Sequence, residues 1–186
     1  NTTYVASYHA PNGRYAINRD YFNLSYTNGP LTALAESTGG NGVYGYGPSG
    51  TFPNGSYRAT NYWVDVTFTT TTAPSATPTA TTTPPTATFT PTNTPTNTPT
   101  NTNTPSPTPA QCPCSLWPNN PTPAVAANDD VGPLEIGVRF QSSINGYITG
   151  LRFYKGMGNS GTHTGHLWTD TGTLLATASD DGTIAL

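Results

Sequence analysis

Two segments near the start of the chain, residues 2–8 and 60–68, alternate between apolar and polar side chains. This period of two is typical of β-strands that bury one face. The second segment gives the strongest strand signal in this part of the chain. It places Tyr62, Val64, Val66 and Phe68 on one face and Trp63, Asp65 and Thr67 on the opposite, more polar face.

Turn-forming residues separate the shorter elements of the same region. Pro11-Asn12-Gly13 predicts a turn after which residues 14–17 return as a second strand. Residues 30–36, which begin with proline, predict a short helical turn. Glycine-rich loops surround a small strand with the sequence VYGYG, which begins at Val43.

A second β-rich region lies beyond residue 112. Residues 134–141 and 147–154 alternate in the same way. Residues 163–169 and 173–178 read as a hairpin whose turn is Asp170-Thr171-Gly172.

A Thr/Pro-rich tract, residues 69–111, separates the two regions, and it contains no charged residue. Its frequent prolines and the near absence of large apolar side chains predict a disordered or polyproline-II linker. Ser/Thr-rich sequence with proline is also typical of O-glycosylated stalks. We take Thr79, Thr92, Thr96 and Thr100 as O-glycosylation candidates, and an unmodified flexible linker is the alternative.

Neither flank has enough strands to bury a sheet face alone, whereas together they supply about seven or eight. We therefore predict an all-β fold, a two-sheet β-sandwich or jelly-roll-like module assembled from two half-domains, residues 1–68 and 112–186. The halves pair either within one chain or between successive copies, and we favour pairing between copies.

The low content of charged residues and the negative net charge argue against nucleic acid as a partner. Charged residues make up 8% of the chain, and the net charge is −3, so no basic patch is available for nucleic acid. No apolar run approaches the roughly 20 residues of a membrane-spanning helix. A polar, weakly charged surface rich in Thr, Ser, Asn and Tyr fits an extracellular or cell-surface protein.

Several motifs also resemble an uncharacterised bacterial domain family. CPCSLWP, LEIGVRF, INGYITGLRFYKGMGNSGTHTGHLW and GTLLATA are similar to its first half, and TTYVASYHAPNGRYA, NGPLTALAE, NGVYGYG and NYWVDVTF to its second. The resemblance implies a domain of unknown function that occurs, often in tandem, in large secreted multidomain proteins beside Ig-like or carbohydrate-active modules. Residues 1–68 then correspond to the C-terminal half and residues 112–186 to the N-terminal half, in inverted order. Residues 179–186 do not match the strand region that joins the halves in the family.

Cysteine and histidine offer little support for a metal site. Cys112 and Cys114 are the only cysteines, and in an oxidising compartment we expect a disulfide, closed either locally or between chains. His163 and His166 are three positions apart in a predicted strand, which points them to opposite faces. We interpret them as surface residues of the hairpin, and His9 stands alone beside a turn.

Acidic pairs and sequons give weaker candidates. Asp129-Asp130 and Asp180-Asp181 could supply Ca²⁺ ligands, but solvated turn acids are the favoured interpretation because neither pair shows a loop of alternating oxygen ligands. The sequence therefore predicts no cofactor, with calcium as a weak candidate. Asn1, Asn23 and Asn54 begin N-glycosylation sequons.

Aromatic residues remain as the last candidate. Trp63, Tyr44 and Tyr46 could form a platform for sugar rings, although packing in the core or between modules is favoured for Trp63, Trp117 and Trp168.

The sequence shows no nucleophile with a neighbouring base, no paired carboxylates and no phosphate-binding loop, so we do not expect an enzyme. We expect a structural or adhesive building block of a filament or surface layer whose partners are copies of itself, assembled head to tail, and glycans. The alternative is a carbohydrate-binding module of a secreted carbohydrate-active protein.

Overall fold

Eleven strands carry the fold. The computed structural model describes residues 2–70, 112–118 and 121–179. The strands are β1 (Thr3–Ala10), β2 (Tyr26–Asn28), β3 (Leu31–Ala33), β4 (Val43–Tyr46), β5 (Gly55–Ser56), β6 (Val64–Thr69), β7 (Cys114–Ser115), β8 (Leu134–Ser142), β9 (Tyr147–Phe153), β10 (Thr164–Thr169) and β11 (Leu174–Ser179). Two 3-10 helices, Tyr21–Asn23 and Glu36–Thr38, complete the regular structure. No helix in these ranges has the length and apolarity to cross a membrane.

The strands form two antiparallel sheets, which confirms the predicted all-β sandwich. The larger sheet has the order β11-β10-β1-β8-β3-β2, and β4 also pairs with β8 and carries β5. The smaller sheet has the order β7-β6-β9. The described residues of both flanks belong to one compact unit. In this structure the two flanks complete each other within one chain, whereas we favoured pairing between copies from the sequence.

Each sheet contains a strand of the first flank held between two strands of the second. Strand β1 lies between β8 and β10, and β6 lies between β7 and β9. Since a strand buries its backbone donors and acceptors only when both neighbours are present, neither flank can satisfy its own sheet.

The core lies between the sheets. Tyr4, Ala6, Tyr8 and Ala10 of β1 are paired with Phe140, Val138, Ile136 and Leu134 of β8, so these residues share one face. The smaller sheet contributes Val64, Val66, Phe68 and Phe153 to the same apolar cluster. The rings of Tyr8 and Phe153 stack across the two sheets with centroids 3.8 Å apart.

An aromatic cluster closes one side of this core. Trp117, from the second flank, is 1% exposed, and its Nε1 donates a hydrogen bond to the carbonyl of Val64 at 2.8 Å. Four aromatic residues of the first flank surround its ring, with centroids 5.2 to 6.1 Å away: Tyr21, Phe22, Tyr26 and Trp63.

The predicted two faces of residues 60–68 need correction. Trp63 has a positive φ of 58°, which interrupts the alternation before β6 begins and turns the indole into the core. Asp65 is fully buried, because the segment that follows the disulfide covers this face. Its carboxylate pairs with Arg152 and accepts a hydrogen bond from the backbone N–H of Leu116 at 2.7 Å.

Two shorter elements were also predicted wrongly. Residues 14–17 do not form a strand, because Arg14 has a φ of 58° and the segment makes only an isolated bridge from Ile17 to Val125. Residues 31–33 form β3 instead of a helical turn. Leu31 and Ala33 are buried where β3 pairs with β8, so tertiary pairing overrides the helical signal.

Asn41 fixes the position of β4 at the edge of β8. Its side-chain oxygen accepts the N–H of Arg139 at 2.8 Å, and its amide donates to the carbonyl of Arg139 at 3.0 Å. The side chain thereby substitutes for the backbone of a strand residue in the gap between β3 and β4. Gly42, with a φ of 70°, follows directly, and an added Cβ would lie 1.7 Å from the carbonyl oxygen of Thr60.

Cutting the linker tests the pairing of the flanks within one chain. We expect a chain that carries a site-specific protease site in the linker to remain a 1:1 complex of its two fragments, with the 19.5 kDa mass of the uncut protein. The reason is that β1 and β6 are held by the other flank on both sides. Native mass spectrometry and light scattering would measure this. Fragments found only in larger assemblies would show instead that the flanks pair between copies.

Replacing Asp65 tests the buried ion pair. Asp65→Ala leaves the Arg152 guanidinium and the Leu116 N–H without their acceptor, and we expect a loss of about 3 kcal/mol in the free energy of unfolding. Urea denaturation would measure the loss. The control is Asp129→Ala, which removes an exposed carboxylate from its pair with Arg14 and should have little effect. Equal effects for the two variants would contradict the assignment.

Candidate functional site: a cleft lined by tyrosines

Five tyrosines surround a cleft of about 190 Å³, which we call the tyrosine cleft. They are Tyr15, Tyr44, Tyr46, Tyr57 and Tyr62. Four polar residues share the lining, of which Arg19 and Thr60 come from the first flank and Asn128 and Asp130 from the second. The cleft is therefore built by both flanks.

Strand β4 positions two of the rings. Tyr44 and Tyr46 are two residues apart and thus project from the same face of the larger sheet, the face that also carries Ile136 and Leu134. Their ring centroids are 5.8 Å apart, with the planes at 75°. The anchoring of β4 by Asn41 fixes both side chains relative to the core.

Backbone hydrogen bonds bring the second flank to the cleft. The N–H of Arg14 donates to the carbonyl of Asp130 at 3.0 Å, and the N–H of Asn128 donates to the carbonyl of Tyr15 at 2.8 Å. These bonds align the segment that precedes β8 with the segment that follows β1. Asp130 consequently lies beside Tyr15, although the two are 115 positions apart in sequence.

Asp130 is the polar centre of the cleft. Its Oδ2 accepts hydrogen bonds from the hydroxyl of Tyr15 at 2.7 Å and from the hydroxyl of Tyr46 at 2.5 Å. Within the described ranges neither bond uses Oδ1, so that oxygen can accept a hydrogen bond from a ligand. The Asp130 carboxylate also disfavours ionisation of Tyr46. The hydrogen bond from Tyr46 to this carboxylate, together with partial burial, raises the pKa of Tyr46 to about 12.

The cleft has a buried floor and an exposed rim. Tyr15 and Tyr62 are 6% and 5% exposed, and burial raises the pKa of both phenols. Tyr46 and Tyr57 are 59% and 53% exposed. At neutral pH the floor and Tyr46 therefore present uncharged hydroxyls, while the rim offers aromatic surface to solvent.

Comparison with known families identifies the family of this chain. A family model described as "Domain of unknown function (DUF4082)" matches residues 1–64 and 120–185. The chain belongs to the DUF4082 family. The two matched segments are the two flanks that the structure folds into one sandwich. No curated protein and no solved structure matches the chain.

The aromatic residues singled out from the DUF4082 sequence are divided by the structure. Tyr44 and Tyr46 lie in the cleft, whereas Trp63 is 4% exposed and its Nε1 donates to Asn18 Oδ1 at 3.0 Å. Trp63 is therefore not part of a surface platform with the two tyrosines. Trp117 and Trp168 are likewise buried.

Sequence reasoning did not find the other residues of the cleft. Tyr15, Tyr57 and Asn128 come from loops that no periodic pattern connects. Tyr62 was placed only on the apolar face of a predicted strand, and Asp130 was considered only as a calcium candidate. The one available signal was the density of tyrosine, eleven in 186 residues, with most of those that line the cleft between positions 44 and 62.

The histidines lie in different surroundings from those predicted. His9, His163 and His166 are all buried, which contradicts a surface role for the hairpin pair and the isolation of His9. His9 and His166 lie on the face of the larger sheet that carries Ser7 and Glu135, whereas His163 packs against Tyr8 and Phe153 on the core side. His166 Nδ1 lies 2.7 Å from Glu135 Oε1, and His9 Nδ1 lies 3.7 Å from Glu135 Oε2. His163 Nε2 is 2.8 Å from Asn159 Oδ1.

Among the described residues, no group of three or more His, Cys, Asp or Glu side chains is arranged to hold a metal ion. Asp129 pairs with Arg14 at 3.0 Å, and Asp130 accepts the two tyrosine hydroxyls. The other calcium candidates, Asp180 and Asp181, lie outside the described residues.

The remaining candidates are positioned as follows. Cys112 and Cys114 are bonded to each other in a disulfide at the start of β7. The sequon residues Asn23 and Asn54 are exposed. Asn1 lies outside the described residues, as do the O-glycosylation candidates Thr79, Thr92, Thr96 and Thr100.

A larger cavity of about 510 Å³ lies at another part of the sandwich, where β6 reaches the last described residues before the linker. Its lining combines Phe68, Phe140 and Leu167 at the rim of the core with polar residues of the turn before Tyr147, among them Ser142, Ser143 and Asn145. It lacks a charged side chain, so it offers fewer specific contacts than the tyrosine cleft.

The pKa of Tyr46 tests the geometry of the cleft. We expect its phenol to titrate near pH 12, and Asp130→Asn to lower that pKa towards the usual value of about 10. NMR of ring-labelled tyrosine would measure both, with Tyr46→Phe to assign the signal. Because the folded state favours the neutral phenol, this contribution to stability is complete below pH 10 and is lost as the pH rises through 12. A wild-type value near 10 would contradict the hydrogen bond.

Proposed function

We propose that this DUF4082 domain is an extracellular carbohydrate-binding module and that the tyrosine cleft is its sugar site. The observation that carries the proposal is a cleft lined by five tyrosines, two of which donate hydrogen bonds to the Asp130 carboxylate at its centre.

The chemistry of the cleft suits a sugar ring. A pyranose presents apolar C–H groups on its faces and hydroxyls on its edges. The exposed rings of Tyr46 and Tyr57 offer aromatic faces on which the C–H groups can pack. The tyrosine side chain combines this apolar area with a polar tip. Asp130 Oδ1, the Asn128 amide and the tyrosine hydroxyls offer hydrogen-bond partners for the sugar hydroxyls. Few, fixed polar groups on an aromatic wall are the usual composition of a ligand site.

Preorganisation also supports binding. Tyr15 and Tyr46 are already held by Asp130, and Tyr15 packs against Tyr62 with ring centroids 5.5 Å apart. Side chains that are fixed before binding lose little conformational entropy when the ligand arrives. This matters for a small cleft, whose contact area with any sugar is limited.

The rest of the chain supports an extracellular setting. The Cys112–Cys114 disulfide fits an oxidising compartment. A Thr/Pro-rich linker without charge is the type of spacer that separates the modules of secreted proteins, and glycans on it would protect it from proteases. The weakly charged surface is consistent with the same setting.

A second candidate is the structural role, in which copies assemble head to tail into a filament or surface layer. Strand β11 favours it, because within the described ranges it pairs only with β10 and most of its side chains are exposed. Leu174 and Leu175 are 47% and 49% exposed. An open strand edge with apolar side chains is a template for pairing with another chain.

Sugar binding by single-residue variants tests the proposal. A glycan array followed by calorimetry should identify a saccharide that binds saturably to the monomer. Tyr46→Ala should weaken that binding about tenfold or more through the loss of ring contacts and of the hydrogen bond to Asp130.

The matched control is Tyr147→Ala. Tyr147 is 52% exposed, like Tyr46, but lies in the larger cavity away from the cleft. Equal losses for the two variants would contradict the site. Regular fibres formed by the purified chain without any saccharide, combined with no binding on the array, would favour the structural role instead.

A further inference from the structure

Arg19 differs from every other arginine of the described chain. The other four each pair with an aspartate: Arg14 with Asp129, Arg58 with Asp20, Arg139 with Asp170 and Arg152 with Asp65. Arg19 has no carboxylate partner among the residues that the structure describes, and it lines the tyrosine cleft. An arginine without a counter-charge at a ligand cleft is a candidate for binding an anion.

The position of the guanidinium supports this role. Its Cζ lies 5.8 Å from the centroid of the Tyr57 ring, within the range of a cation–π contact. Its charge also acts on the phenol of Tyr62, whose pKa it lowers against the larger effect of burial. Arg19 thus lies against the aromatic rim of the cleft, while its N–H donors have no carboxylate partner among the described residues.

Asp130 supplies the opposite charge in the same cleft. A site with one cation and one anion selects a ligand that carries an acidic group on one side and hydroxyls on the other. A uronic acid has this arrangement, with a carboxylate on C5 and neighbouring hydroxyls on C2 and C3. A neutral sugar would leave Arg19 without a partner.

We infer that the tyrosine cleft takes an acidic sugar, a uronic acid unit whose carboxylate binds Arg19 while its ring hydroxyls bind Asp130. This inference rests on the proposed sugar-binding function and specifies the class of ligand. The planar guanidinium can donate two parallel hydrogen bonds to a carboxylate, which a lysine cannot do.

The test compares matched ligands. Oligosaccharides of galacturonate, glucuronate and mannuronate would be titrated calorimetrically into the full chain, alongside their methyl esters and the neutral parent sugars. We expect at least one uronate to bind, and its methyl ester, which keeps the ring but loses the charge, to bind about tenfold more weakly. Raising the salt concentration should weaken the uronate but not the ester, because the ion pair lies near solvent.

Variants assign the effect to Arg19. Arg19→Gln should lower the affinity for the uronate about tenfold and leave that for the methyl ester unchanged, and Arg19→Lys should give an intermediate loss. The control Lys155→Gln removes the same charge from a residue that does not line the cleft and should change neither affinity. Since Arg19 is exposed, all three variants should keep the wild-type thermal stability.

The outcomes separate the two claims. Binding of neutral sugars or esters as tight as that of uronates, with no effect of Arg19→Gln, would overturn the acidic ligand and leave the sugar site intact. Tighter binding of an oligosaccharide that carries sulfate groups and no carboxylate than of any uronate would contradict the choice of a carboxylate as the acidic group. Failure of every saccharide to bind would overturn the proposed function itself.

Discussion

The fold depends on mutual insertion of the two flanks. In the larger sheet β1 is hydrogen-bonded to β8 on one side and β10 on the other, and in the smaller sheet β6 is bonded to β7 and β9 in the same way. Removing the second flank would expose both edges of these strands, and removing the first would take the strand between two neighbours out of each sheet. A linker of some forty residues makes such pairing affordable within one chain, because the entropic cost of closing a loop rises only slowly with its length.

The tyrosine cleft inherits this dependence. Asp130 comes from the second flank and holds hydroxyls of Tyr15 and Tyr46 from the first, through backbone bonds between the segments that contain them. The site therefore exists only when the flanks are paired. A ligand that binds there would also stabilise the pairing, since any molecule that binds only the folded state shifts the folding equilibrium towards it. Ligand binding in the cleft would therefore be thermodynamically linked to the pairing of the flanks.

The carboxylates that are buried in this structure have specific partners. Asp65 sits fully buried beneath the segment after the disulfide, and Glu135 is buried with hydrogen bonds from Ser7 and a contact to His166. Buried charges are tolerated only with such partners. This accounts for the buried position of His166, which was expected at the surface and lies against Glu135. It also makes Arg19 stand out, because the described arginines otherwise all face aspartates.

The sequence by itself determined the all-β class and most of the long strands, because alternation with a period of two depends only on neighbouring positions. It could not show how Trp63 enters the core, because a positive φ at this one residue reverses its face. It also could not show that residues 31–33 pair with β8. Only the tertiary structure decided which residues meet. Tyr15, Tyr46 and Asp130 share one hydrogen-bonded centre although they come from three separate segments, and no local pattern records contacts made across 84 and 115 positions.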